Sequence, residues 1–167
     1  MPVIKRVTLF FFFLCCYSQL AFGQSCSLLV NSPTVNFGNF NPLQLSPVIG
    51  VNQTMTVRCV GGTDPITFAL TLSAGGNNSY VPYRQMLRNG AGPEVLNYNF
   101  YINSSRTTIW GDGTNSTSFV NQTTGINCRS NTPPCSYIAY GLIPAPQPRV
   151  SGGSYSANII ATLTYNP

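Results

Sequence analysis

Apolar side chains in this sequence recur at every second position, in short runs, and no segment sustains the three- and four-residue spacing of a helix. "VNQTMTVRC" places Val51, Met55, Val57 and Cys59 on one face, and "ITFALTLS" does the same with Ile66, Phe68, Leu70 and Leu72. In "NYNFYIN", Tyr98, Phe100 and Ile102 point one way and Asn97, Asn99 and Asn103 the other. The C-terminal run alternates Tyr155, Ala157, Ile159, Ala161, Leu163 and Tyr165 with Ser156, Asn158, Ile160, Thr162 and Thr164, and Ile160 alone is apolar in the second set. A period of two marks a strand with one buried face. Between the runs lie "GGTDP" (61–65), "SAGGNNS" (73–79), "RNGAGP" (88–93) and "GDGTNS" (111–116), residue types that favour tight turns. Short alternating strands at this spacing predict an all-β sandwich or barrel. The first strand is broken: Cys26, Leu28 and Val30 share one parity, Val35 and Phe37 the other, and Pro33 stands between them. A proline there interrupts the ladder and lets the chain change register or sheet.

The N-terminus reads as a secretory leader over residues 1–23. Lys5 and Arg6 precede an apolar run from Val7 to Cys16, and the small-residue site "AFG" precedes Gln24. Ser18 and Gln19 interrupt the segment, which is too short for the roughly 20 apolar residues of a membrane span. The expected mature chain, 24–167, is therefore one domain without a membrane span, and it has no repeat or linker. Lys5 and Arg6 leave with the leader, so six arginines face three acids, Asp64, Glu94 and Asp112, for a formal charge of +3. Sparse charge of this kind argues against a nucleic-acid surface, which needs clustered Lys and Arg. Four cysteines remain: Cys26, Cys59, Cys128 and Cys135. An even number in an exported chain predicts two disulfides, for which three connectivities exist. Proximity favours Cys128–Cys135, closing a loop around "RSNTPP". A zinc site is the weaker reading, since no CxxC knuckle is present.

Catalytic chemistry finds little to work with. There is no histidine, which removes Ser-His-Asp and Cys-His arrangements. Glu94 and Asp112 are the one conceivable acid–base pair, but Glu94 follows Gly-Pro in a loop and Asp112 sits between glycines in a turn. No cofactor is expected, and Asp112 with Asn115 supplies too few carboxylates for calcium, so no metal is expected either. Trp110 and Asp112, in "WGDGT", form a possible surface-binding loop, because an exposed indole can stack on a sugar ring. The favoured alternative packs the indole against the sheet and has Asp112 fix the turn.

Taken in order, "VNFGNFNP" (35–42), "TVRC" (56–59), "FALTLSAGG" (68–76), "RQM" (84–86), "LNYNFY" (96–101), "WGDGT" (110–114), "YGLIPAPQ" (140–147) and "GSYSANIIATLTY" (153–165) span the mature chain. In that order they resemble the spore coat protein U domain family, which includes subunits of archaic chaperone–usher pili. The resemblance implies an incomplete immunoglobulin-like sandwich lacking its last strand. It also implies a Cys26–Cys59 bridge, and a donor-strand groove beside Tyr155, Ala157, Ile159, Ala161, Leu163 and Tyr165. The partners it implies are a periplasmic chaperone, an outer-membrane usher and other pilus subunits. Polymerising members carry an apolar extension ahead of the first cysteine, whereas Gln24 and Ser25 alone precede Cys26 in the expected mature chain. A subunit that accepts but does not donate a strand belongs at one end of a linear assembly, by resemblance the tip, in adhesion and biofilm formation. The alternative is a secreted spore-coat or lectin-like binding protein that acts without polymerisation.

Overall fold

The computed structural model describes residues 23, 25–32, 34–50, 52–61, 66–75, 79–90, 94–126, 128 and 135–166. The leader expected over 1–23 lies outside them except for Gly23, as do Gln24, Pro33, Val51 and Asp64. Among the described residues the chain forms ten strands and no helix: β1 (Ser25–Val30), β2 (Val48–Ile49), β3 (Gln53–Val60), β4 (Ile66–Leu72), β5 (Arg84–Arg88), β6 (Val95–Tyr101), β7 (Val120–Ile126), β8 (Cys135–Ile143), β9 (Tyr155–Ser156) and β10 (Ala161–Tyr165). The larger sheet runs β1-β3-β8-β6-β5-β9, with β2 also on β8, and the smaller runs β10-β4-β7. All these pairings are antiparallel. The fold is an all-β sandwich-like arrangement of antiparallel sheets.

The alternation explains the layers. Met55, Val57 and Cys59 of β3, Ile66, Phe68, Leu70 and Leu72 of β4, and Leu96, Tyr98 and Phe100 of β6 are all buried in one apolar core. Each buried side chain of this size contributes about 1.5–3 kcal/mol over leaving it in water. Ile102, expected inward, lies one residue past the end of β6 and is only half-buried. Asn99 departs from the expected pattern. It is fully buried instead of facing water, and its amide donates to Tyr80 O at 2.9 Å while Oδ1 accepts from Arg84 at 2.7 Å. With a longer bond from the same amide to Pro82 O at 3.4 Å, three polar partners replace the solvent that an asparagine otherwise needs.

The C-terminal run also departs from a single regular strand. Tyr155 and Ser156 pair with Arg88 and Leu87 in the larger sheet, whereas Ala161 to Tyr165 pair with Leu72 to Phe68 in the smaller. Between them Ile160 is tied to Ser73, its carbonyl accepting from the backbone N–H and its own N–H donating to the hydroxyl, both at 2.9 Å. One strand cannot stay in register with two twisted layers at once, so it leaves one ladder before joining the other.

Candidate functional site

β1 and β9 end the larger sheet and β10 ends the smaller, so each has one edge without a strand neighbour among the described residues. β1 and β10 approach one another across the side of the sandwich. Beside them lies an open cleft of about 680 Å³. Leu28 and Val30 of β1 line one side, and Tyr155 to Ile159 with Ala161 the other; Met55, Leu72, Met86, Tyr98, Phe100 and Ala139 contribute to its lining from within. Four of the six residues expected to line a groove, Tyr155, Ala157, Ile159 and Ala161, are brought together here. Leu163 and Tyr165 continue the same face but do not line the cleft. All six pack against the core yet remain half-buried, while Ser156, Asn158, Ile160, Thr162 and Thr164 are exposed. The apolar face of this last segment is therefore only half covered.

The segment 34–40 crosses one end of the cleft and makes no ladder pairing. Phe37 anchors it, with its ring 5.9 Å from that of Tyr98 and 6.1 Å from that of Phe100. Glycines at 50 and 141 make room for that ring. A Cβ on Gly141 would stand 2.9 Å from it, and one on Gly50 would collide with it outright.

Cys26 is bonded to Cys59, its direct cross-strand neighbour, which ties the edge strand β1 to β3. Cys128 is bonded to Cys135, closing the short loop ahead of β8. These are the two expected pairs.

Trp110 is fully buried, and its indole N–H donates to Leu70 O at 3.0 Å. It therefore presents no face to solvent, which corrects its inclusion in a surface-binding loop. Asp112 alone of that pair is exposed; its carboxylate accepts from the Thr114 N–H at 2.9 Å and hydroxyl at 2.6 Å. Those bonds hold its pKa below the usual carboxylate value. Glu94 has separate partners, accepting from Ser151 Oγ at 2.7 Å and pairing with Arg88 at 3.0 Å, and its pKa is lowered chiefly by the Ser151 bond. Asp112 thus fixes its own turn, whereas Glu94 ties its loop to Ser151 and to Arg88.

A side chain that the pattern did not single out organises this end of the sandwich. Arg84 is fully buried, forms no ion pair among the described residues, and stacks on Tyr80, with its guanidinium carbon 4.8 Å from the ring centre. It donates to Ser73 O at 2.9 Å, Asn99 Oδ1 at 2.7 Å and Trp110 O at 2.6 Å. Burial pulls its pKa down to about 10, so the cation persists at neutral pH. The available signal was parity: Arg84 and Met86 share a face, and both are buried.

Among the described residues no cluster of His, Cys, Asp and Glu is placed to hold a metal ion, and no helix is long and apolar enough to cross a membrane. A disulfide-stapled, all-β domain of this kind, with open sheet edges, is the architecture of a surface protein of the spore-coat or pilus type. The chain belongs to the family described as the Spore Coat Protein U domain, whose model it matches over residues 13–162. Protein U of Myxococcus xanthus is 30% identical to it over 151 residues, which is 86% of this chain and 79% of that protein. The family is one of structural, exported surface proteins.

Proposed function

We propose that this protein is a subunit of a secreted surface appendage that accepts a donor strand along Tyr155–Tyr165. The observation that carries this reading is the open cleft, flanked by strands whose outer edges have no strand neighbour among the described residues. An extended segment entering it would pair with unsatisfied backbone groups and cover the half-buried face, which is strand addition to an open sheet. Four inward apolar side chains, at about 1.5–3 kcal/mol each, would contribute on the order of 10 kcal/mol. That is comparable with the net stability of a whole domain.

The donors in this reading are a periplasmic chaperone during export and then a neighbouring subunit, with an outer-membrane usher as the assembly platform. The position we favour in the appendage is the tip, in adhesion and biofilm formation. The test is a donor strand fused to the C-terminus through a flexible linker. Self-complementation should raise the thermal midpoint by 20 °C or more, roughly what 5–10 kcal/mol confers on a domain of this size. An unchanged midpoint would show the sheet to be complete already and would favour a binding module that acts alone.

A further inference from the structure

Among the described residues the Tyr98 hydroxyl is the one buried side-chain polar atom with no hydrogen-bond partner. Tyr98 is 2% exposed and contributes to the lining of the cleft. Its hydroxyl reaches the place where the last strand leaves the larger sheet. A Cβ built on Gly75 would stand 3.7 Å from that oxygen and 3.1 Å from Ile159 Cδ1. Gly75 has a φ of +82°, which further favours glycine there. Arg84 directs its donors to Ser73, Asn99 and Trp110. The hydroxyl lies buried beneath a mixed lining, in which Ser32, Thr34, Gln53, Ser156 and Asn158 accompany the apolar side chains, and an orphaned buried hydroxyl is costly enough to call for an explanation.

We infer that Tyr98 sets the register and part of the specificity of the occupant, by requiring a hydrogen-bond acceptor on one inward side chain of the donated strand, at the level of Ile159. The inference rests on the strand-acceptor reading and adds a chemical requirement to it. A phenol is foremost a donor, and the backbone groups of an added strand lie in the plane of the sheet. Only inward side chains of the occupant point toward the floor, so Thr, Ser, Asn or Gln at that one position supplies the acceptor. Every other inward position remains apolar. A one-residue slip would turn the acceptor out to solvent and leave Tyr98 unpaired, so the bond selects register as well as sequence.

The test uses the full mature chain and synthetic peptides of alternating Val and Ser, long enough to span Tyr155 to Ala161. Each Val is replaced in turn by its near-isostere Thr. We expect Thr to weaken binding at every position but one, and there to tighten it roughly tenfold, the usual scale of satisfying a buried donor. In Tyr98→Phe that advantage should vanish; a cooperative thermal transition at or above the wild-type midpoint shows this variant to be folded. In the wild type a slowly exchanging tyrosine hydroxyl proton should appear by NMR with the favoured Thr peptide and not with its Val parent. If the Val peptides bind while Thr weakens every position, or if the preference survives in Tyr98→Phe, the inference is overturned and strand acceptance stands. Failure of every peptide to bind would remove the strand-acceptor reading, and this inference with it.

Discussion

Arg84 makes the buried polar end of the sandwich a single unit, because one planar fork serves carbonyls from three separate stretches of chain. Arg84→Met should lower the unfolding free energy by about 3–5 kcal/mol in urea titrations, since it leaves buried acceptors on Ser73, Asn99 and Trp110 without donors. Arg84→Lys should recover little of this, because a point charge cannot reach three acceptors at once. Asn99 was not legible as buried from sequence, since residue type and parity both argued for solvent. For Arg84 the residue type argued against the parity it shares with Met86; the convergence of Ser73, Trp110 and Tyr80 around them decides both. Trp110 shows the opposite case, in which the packed reading already favoured from the motif matches the buried indole. Tyr98 carries a pH dependence. Burial pushes its phenol up to about 12 from the ordinary 10. The folded state therefore holds that proton more tightly than the unfolded chain. Its stabilisation is complete below pH 10 and is lost as pH rises through about 12. Denaturant midpoints between pH 9 and 12 should fall in the wild type, with about 2–3 kcal/mol of the loss absent from Tyr98→Phe.

At the level of elements, β3 and β4 were readable because each buries one face and exposes or half-buries the other, while β6 buries its Leu96, Tyr98 and Phe100 face and half of the opposite one. β5 and β9 were harder, being short and carrying an inward arginine in one case and only two residues in the other. The C-terminal run had the right parity and the wrong continuity: alternation reports which face is buried but says nothing about which sheet supplies the ladder. Parity itself makes a sharp prediction. Ile159 and Ile160 are adjacent and chemically identical, yet Ile159 lines the cleft and Ile160 is 67% exposed on the opposite face. Ile159→Asp should weaken binding of a donor peptide more than a hundredfold, by burying an unpaired carboxylate. Ile160→Asp should change it less than about threefold, since an exposed carboxylate has little to lose. Isothermal titration of the two variants against one peptide checks both.

For the whole molecule, charge is scarce. The expected mature chain has six arginines and three acids, and Arg88–Glu94 is the one ion pair among the described residues. Stability, and strand binding in the proposed function, then depend on apolar contact and backbone pairing, which salt screens little. Between roughly 0.05 and 0.5 M sodium chloride, donor-peptide affinity should change by less than about twofold; a steep decline would point to charge contacts outside the cleft. The crossing of the last strand from β5 to β4 also bears on how the domain behaves under tension. One continuous segment is stitched to both layers, at Leu87 and Arg88 on one side and from Leu72 to Phe68 on the other. A pull along its axis loads two ladders lengthwise, so their bonds must shear together and cannot unzip one by one. The same segment straps the layers against sliding past each other, and the place where a partner would be gripped is also where the sandwich is best braced to be pulled.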